Sequence, residues 1–337
     1  MPVLPETTPC PRALAKALTV HRTPSAPRAL FEMLVTLLPF VLFWTAALVC
    51  VQRGWWAGLL FTVPAAGFLT RVFLIQHDCG HGAFFPSKAA NDWTGRVLGV
   101  LTLTPYAYWR QTHAVHHATS GHLDRREMGA IDTFTVEEYR AMPPFRRALY
   151  RLYRHPLTQF GFGPAFVFFV QHRVPVDLMT AGWRPWASAM TTNLAIAVAG
   201  VALGSALGWG PFLLVHLLTV AMAASLGVWL FYVQHQFEET HWSRKGRWQR
   251  DEAALHGSSY YDLPGPLRWL TANIGVHHVH HVDSRIPFYR LEQVLRERPE
   301  LKTIGRLTIP ESLRCVKLAL WDEDRERMVS FRDAAPA

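Results

Sequence analysis

The sequence predicts an all-α integral membrane protein whose four transmembrane helices form two hairpins. No residue is charged from Met33 to Gln52, from Gly54 to Thr70, or over the 53 residues from Pro185 to Phe237. About 20 apolar residues cross the hydrocarbon core of a bilayer, so the third run is long enough for two helices. Glycine and proline in the string Gly208-Trp209-Gly210-Pro211 predict the turn between them. The four spans are expected at about residues 33–52, 54–75, 187–207 and 212–233.

The distribution of Lys and Arg predicts the orientation of these spans. Of the 34 Lys and Arg residues, only Arg53 falls in a loop on the far side of the two hairpins. By the positive-inside rule, the opposite side, which holds both termini, is the cytoplasm. The net charge of +9 therefore indicates a cytoplasmic face near anionic lipids. No interleaved basic and aromatic pattern indicates a nucleic-acid partner.

Three regions are predicted along the chain. Residues 1–30 are rich in proline, have no apolar segment typical of a signal peptide, and are expected to form a loosely ordered cytosolic lead-in. Residues 31–291 are expected to hold the membrane domain. Residues 292–337 are expected to be a cytosolic helical segment, in which Thr308 and Glu311 cap a helix that runs toward Trp321. The four cysteines show no paired spacing and are expected to be reduced thiols.

Three clusters of histidine mark the candidate functional site, and a cytosolic helical cap is expected to carry them. His77 and His81 are four residues apart at the end of the second span, and two later clusters contain the pattern His-x-x-His-His. Spacings of three and four residues return to one face of a helix, so each cluster can direct its imidazoles to one metal ion. A single pair of this kind is more often structural, whereas three clusters are hard to produce by chance. The later clusters are His113-Ala114-Val115-His116-His117 and His277-His278-Val279-His280-His281.

The order of the clusters supports one shared site. Two spans separate the second cluster from the third, so all three return to the cytoplasmic side. His235, at the cytoplasmic end of the fourth span, is a further candidate, and His241 is the alternative to it. Nine imidazoles exceed the roughly four to six ligands of one ion, so two ions are expected; nitrogen ligands suit Zn, Cu, Fe or Ni without selecting among them. Three carboxylates could bind the second ring nitrogen of a ligand or could equally be solvated, namely Asp78, Glu238 and Glu239.

Three strings of the sequence resemble those of the membrane fatty acid desaturases. They are HDCGHGAFF from residue 77, THAVHH from residue 112 and GVHHVHH from residue 275. The likeness runs from about residue 71 to residue 291 and is greatest to bacterial acyl desaturases of the Δ12 (ω-6) type. It implies a non-haem di-iron centre that uses O2 and two external electrons to remove two hydrogens and leave a cis double bond. The ligands that it implies are His77, His81, His113, His116, His117, His277, His280 and His281, with His235 as the ninth, while His278 lies outside the pattern.

The resemblance also implies a substrate path, an electron donor and a location. The acyl chain of a lipid would need a dry tunnel beneath the ions, because water would quench the oxidant. The sequence has neither a cytochrome b5 haem motif nor a ferredoxin cysteine cluster, so a separate ferredoxin or cytochrome b5 type donor is expected. The implied location is the bacterial inner membrane. Six aromatic residues could line the tunnel, namely Phe84, Phe85, Tyr106, Trp109, Trp229 and Phe231. Aromatic residues at such positions more often serve packing alone.

Two alternatives remain open at this point. A membrane di-iron hydroxylase or a carotenoid ketolase has similar histidine clusters but inserts oxygen into its product. A metal transporter would place its ligands along a path within the bilayer, and only His216 lies deep inside a predicted span. The mass of the product separates the first alternative from a desaturase.

Overall fold

The computed structural model describes residues 10–126 and 128–334, and this part of the chain is mostly helical. Four of its helices are long and apolar enough to cross a membrane, which confirms the four predicted spans. The spans are α2, α3 together with a 3₁₀ turn before it, α9 and α10. In chain order the helices are α1 (Pro11–Leu18), α2 (Ala26–Gln52), α3 (Thr62–Gly80), α4 (Lys88–Leu101), α5 (Tyr106–Thr119), α6 (Val136–Ala141), α7 (Pro144–Tyr153), α8 (Gly163–Phe169), α9 (Trp183–Leu207), α10 (Trp209–His235), α11 (Arg250–His256), α12 (Gly265–Leu270), α13 (His277–Val282), α14 (Phe288–Glu297) and α15 (Ile309–Cys315). The strands are β1 (Phe134–Thr135), β2 (Tyr260–Tyr261), β3 (Arg306–Leu307), β4 (Leu318–Asp322) and β5 (Arg327–Ser330).

The spanning helices extend beyond their predicted limits. α2 begins at Ala26 because Ser25 accepts a hydrogen bond from the backbone N–H of Arg28 and a proline occupies the first turn. α10 continues to His235, after which Gln236 leaves the helical conformation. The C-terminal ends of α3 and α10 therefore carry histidines on rigid helical stems.

The central helix of the fold is α3. It packs against α2, α10 and α4, and its residues Leu69, Val72 and Ile75 are buried in the main hydrophobic core. The apolar stretch of α9, by contrast, is almost completely exposed. Exposure of this kind suits a helix that faces lipid.

A buried ion pair joins α2 to α3. Glu32 and Arg71 are each 1 % exposed, and Arg71 Nη2 donates to the Glu32 carboxylate. Arg71 also donates to Thr36 Oγ1 at 3.0 Å and to the carbonyl of Trp269. Arg28 donates to Glu32 from the half-exposed side at 2.8 Å. Each buried charge is thus paired and hydrogen-bonded, which is the condition for burying it.

The N-terminal segment is more ordered than predicted. Residues 1–9 lie outside the described residues, but α1 follows directly, buries Leu14 and Leu18, and packs against α11. These leucines are four residues apart and share one face of the helix, so they bury an apolar stripe despite the proline-rich composition. Arg22 then pairs with Asp283 at 2.6 Å. The expected loose order is wrong for residues 10–25, whereas the cytosolic location stays a prediction.

The C-terminal segment is helical only in part. The predicted capping box at Thr308 is present and starts α15, but α15 ends at Cys315, and Trp321 lies in a strand. β4 pairs antiparallel with β5 and parallel with β1, while β2 and β3 form a separate parallel pair. The β4–β5 turn is stabilised by Asp322, whose carboxylate accepts hydrogen bonds from the backbone N–H groups of Asp324 and Arg325. The helical prediction is therefore wrong beyond Cys315.

Candidate functional site

The nine predicted histidines come together in two groups. α3 carries His77, with His81 directly after it; α5 carries three more; α10 ends on His235; and α13 carries the last three. Within each group the candidate ligand atoms all lie within 4.8 Å of one another. The two groups are therefore assembled from helices that are far apart in sequence. The first group is His77, His81, His113, His117 and His280, and the second is His116, His235, His277 and His281.

The spacing of the ring nitrogens indicates what these groups can hold. Neighbouring Nε2 atoms are 3.0–3.2 Å apart in both groups. A tetrahedral site with bonds of about 2.0–2.1 Å would separate its nitrogens by about 3.3–3.4 Å. In a five- or six-coordinate site with bonds of about 2.1 Å, adjacent nitrogens lie about 3.0 Å apart. The spacing is short enough for the nitrogens of each group to share one ion, and the five nitrogens of the first group exceed the four of a structural zinc site.

Burial keeps these imidazoles neutral. Removal from water lowers the pKa of His113, His116 and His117 well below the ordinary value of 6.5, and the neighbouring histidines lower it further. Burial has the same effect on the pKa of His81 and of the three α13 ligand candidates. A neutral imidazole presents a free lone pair to a metal ion. Burial therefore favours the protonation state of these imidazoles that binds metal.

The groups behind the histidines differ from those predicted. The Nδ1 atom of His235 lies 3.2 Å from the carbonyl oxygen of Gly257, which had no signal in the sequence. Asp78 is the one predicted carboxylate that lies close: its Oδ1 is 3.5 Å from His77 Nδ1, and its Oδ2 accepts a hydrogen bond from the backbone of Phe288 at 2.7 Å. The Nδ1 atoms of two α13 ligand candidates, His277 and His281, find no partner among the described residues.

The predictions for Glu238 and Glu239 are wrong. Both side chains are exposed, and Glu238 pairs with Arg327 at 3.0 Å. Because α10 ends at His235, the following residues no longer keep the helical face that points to the histidines. The two carboxylates therefore belong to the surface.

The histidines that were not assigned as ligands lie outside both groups. The Nε2 atom of His278 is 2.9 Å from the carbonyl oxygen of Leu301, so His278 is buried for a structural reason. His122 packs against Trp248 with ring centroids 5.0 Å apart. His241, the alternative to His235, is also in neither group.

A large, mainly apolar cavity adjoins the histidines. It has a volume of about 800 Å³, within the usual range for ligand sites. His77, His113 and His277 form part of its wall, and α3, α8 and α10 supply much of the remainder. Along α10 the lining extends from Gln234 back to Val220, about 21 Å of helix. An apolar chain in this cavity would lie against the imidazole groups.

Comparison with known proteins identifies the family. A model described as fatty acid desaturase matches residues 53–310. The chain belongs to the fatty acid desaturase family. It is 41 % identical over 321 residues to a fatty acid desaturase of Bacillus subtilis, an alignment that covers 95 % of this chain and 91 % of the relative. It is 28 % identical over 233 residues to the sn-1 oleoyl-lipid 12-desaturase of Synechocystis, covering 66 % and 63 % of the two chains. It is 27 % identical over 257 residues to the sn-1 acyl-lipid omega-3 desaturase (ferredoxin) of the same organism, covering 73 % and 68 %.

This fatty acid desaturase is an oxidoreductase that acts on acyl chains with O2, and its four apolar helices agree with a membrane protein. Of the six aromatic residues predicted to line a tunnel, Trp109 and Phe231 line the cavity of the desaturase. The sequence analysis missed Phe73, which also lines it.

The other four aromatic residues do not line the cavity, and the predictions for them are wrong. Phe84 packs against Phe85, with ring centroids 4.9 Å apart. Tyr106 donates to the carbonyl of Cys79 at 2.8 Å, and Trp229 packs against Phe160 at 5.2 Å. Their rings fill space between neighbouring parts of the fold instead.

Proposed function

We propose that the protein is an acyl-lipid desaturase of the Δ12 (ω-6) type, which forms a cis double bond in the acyl chain of a membrane lipid. The observation that carries this proposal is the contact between two groups of imidazoles and a mainly apolar cavity. The Δ12 position and the lipid substrate are supported by the similarity to the oleoyl-lipid 12-desaturase of Synechocystis.

We propose iron as the metal in both groups. Five nitrogens in one group and four in the other support two ions, and the five nitrogens of the first group exceed the four of a structural zinc site. With O2, two external electrons and two protons, such a centre would supply the oxidising power that turns –CH2–CH2– into –CH=CH– with release of two water molecules. The protein holds the ligands neutral, positions the acyl chain against them and keeps water away.

Two aromatic side chains keep water away from the histidine groups. Trp109 stacks on His113 with ring centroids 4.6 Å apart and an interplanar angle of 14°. Phe231 lies 5.1 Å from both His116 and His235. Because both rings also line the cavity, they cover the imidazole groups on the side where the acyl chain would lie. Apolar cover of this kind strengthens polar interactions at the centre and suppresses side reactions with water.

The proposed electron donor is a separate ferredoxin or cytochrome b5 type protein. The name of the omega-3 relative from Synechocystis includes ferredoxin, which supports this class of donor. The proposed location is the bacterial inner membrane, with both termini and the histidine groups on the cytoplasmic side. The excess of Lys and Arg on the side of the termini supports this orientation.

The test is analysis of total fatty acids by gas chromatography with mass spectrometry, in a heterologous bacterium that expresses the chain and a ferredoxin system. We expect a new fatty acid two mass units lighter than its precursor, and its fragmentation locates the double bond. The His116→Ala variant should lack this product. The matched variant His122→Asn should retain it, because His122 is in neither group. A product that gains one oxygen atom would contradict desaturation and indicate a hydroxylase.

A further inference from the structure

The cavity wall contains a buried side-chain amide whose oxygen has no partner. Gln159 lines the cavity and is 8 % exposed, and its Oε1 atom makes no hydrogen bond within the described residues. Leaving a buried amide unpaired is unfavourable, because the group loses its bonds to water and gains none in return. The amide is therefore placed at a cost to stability that a bound partner would offset.

Three other polar residues in the same wall each donate a hydrogen bond to a backbone carbonyl. Gln234 donates to the carbonyl of Ile274 at 3.0 Å. Thr70 donates to the carbonyl of Ala66 at 3.0 Å, and Thr112 donates to the carbonyl of Trp109 at 2.9 Å. The donor groups of these three side chains are thus directed to the backbone. Gln159 differs from them because its side-chain amide forms no hydrogen bond within the described residues.

Gln159 is held in place by the helix that carries His235. Its backbone N–H donates to the carbonyl of His155 at 2.8 Å. The next residue, Phe160, packs against Trp229 and Tyr232 of α10 with ring centroids 5.2 and 5.1 Å apart. Tyr232 precedes His235 by three residues, or about 4.5 Å along the helix. The amide is thus at a fixed position relative to the second histidine group.

The surroundings of Gln159 suit the polar end of an acyl chain. Tyr153 and Thr158 line the same part of the wall and are half-buried. Asp132 also lines it and is exposed, and its backbone N–H donates a hydrogen bond to the Tyr153 hydroxyl at 3.2 Å. The cavity therefore reaches the protein surface near Gln159, whereas the stretch of wall from Val220 to Val228 on α10 is apolar. An acyl group bound with its carbonyl at Gln159 would place its hydrocarbon in the apolar part.

We propose that the Gln159 amide binds the carbonyl oxygen of the acyl group and thereby sets the distance from that carbonyl to the carbon pair that is oxidised. A primary amide has two donor hydrogens and an acceptor oxygen, and the nitrogen of Gln159, which forms no hydrogen bond within the described residues, can donate to the carbonyl. Every acyl ester or thioester carries this oxygen, so the subsite is independent of the carrier. Gln159 is a positioning residue, and its role depends on the function proposed above.

The experiment compares double-bond positions in the products of four chains: wild type, Gln159→Leu, Gln159→Asn and the surface control Gln293→Leu. Leucine has a similar volume and removes an unpaired polar group, so it should be tolerated. We expect wild type and Gln293→Leu to place the bond at one distance from the carboxyl carbon in acyl chains of different length. Gln159→Leu should increase the fraction of neighbouring positional isomers at least tenfold, and Gln159→Asn, with its amide set back by one carbon, should give an intermediate mixture.

Three results would overturn the inference. The first is an unchanged isomer ratio in Gln159→Leu, whatever its total yield, because a purely structural role alters yield and not position. The second is a wild-type bond at a fixed distance from the methyl end in chains of different length. The third is the absence of unsaturated product from wild type and Gln293→Leu alike, which would contradict the proposed function itself and is thereby distinguished from the first two.

Discussion

Replacement of Gly227 by leucine should block the cavity and stabilise the fold at the same time. Gly227 occupies the middle of the face of α10 that lines the cavity, and a Cβ atom added there meets no atom within 4 Å. The new side chain would extend into the cavity without displacing packed neighbours. Glycine in a helix interior is about 0.8–1 kcal/mol less favourable than a good helix former. We therefore expect the free energy of unfolding to rise by about 0.5–1 kcal/mol.

The effect on activity should have the opposite sign. Gly227 precedes His235 by eight residues, which is about 12 Å along the helix, so the leucine would stand between the histidine groups and the deep end of the cavity near Val220. An acyl chain would have to give up this space or bind less deeply. We expect product formation to fall at least tenfold, which corresponds to about 1.4 kcal/mol in the activation free energy.

The matched control is Gly200→Leu on α9. Gly200 also has open space around an added Cβ, but it does not line the cavity. Thermal unfolding of the purified variants and the yield of unsaturated fatty acid per bound iron are measured together. Both variants should be more stable than wild type, and only Gly227→Leu should lose activity. Equal yields from the two variants would show that acyl chains do not use this cavity.

Three further predictions concern the histidine groups and the ion pair. His116→Ala should reduce bound iron from about two ions to about one per chain, because its group drops from four imidazoles to three; elemental analysis that finds two ions would contradict its assignment as a ligand, and His122→Asn is the control. Glu32→Gln should lower the free energy of unfolding by about 4 kcal/mol. Arg71→Met should lower it by about 3 kcal/mol, since Arg28 still neutralises Glu32 in that variant. Unfolding measurements on both variants and on the double variant should give non-additive losses of stability, and additive losses would refute the coupling of the two residues. Chelator-treated protein should lose stability below about pH 6.5, because burial holds the pKa values of the cluster histidines below 6.5 and the unfolded chain then binds more protons. Each of these histidines should lower the free energy of unfolding by up to about 1.4 kcal/mol per pH unit. A melting temperature that stays constant between about pH 8 and pH 5.5 would contradict this prediction.

The spans and the histidine groups could be predicted because their signals are local. A charge-free run is visible without knowledge of its neighbours, and spacings of three and four residues fix a helical face. The order of the clusters then required an even number of spans between His117 and His277. Helix α2 shows the limit of this reasoning: Glu32 excluded its first turns from the predicted span, although pairing with Arg71 lets the charge lie inside the helix.

The cavity could not be predicted in the same way. Its wall comes from α3, α8 and α10, so it depends on how distant helices are rotated against one another. Trp229 and Phe231 illustrate this. Residues i and i+2 of a helix point in directions that differ by about 200° around the helix axis, and only Phe231 lines the cavity. The prediction that Glu238 and Glu239 lie behind the histidines was wrong for a related reason, because the end of α10 at His235 changes the direction of the following chain.

One sequence pattern nevertheless links the cavity to the histidines. Phe73, Trp109 and Phe231 all line the cavity, and each precedes a histidine of the two groups by four residues, namely His77, His113 and His235. Residues four apart share one face of a helix, so an aromatic ring at this position lies one turn from the imidazole on the same side. The Phe73 and Trp109 rings also contact each other at 5.4 Å across two helices. A helix that directs a histidine into one of the two groups therefore also directs an aromatic ring to the boundary with the cavity, without any additional element of structure.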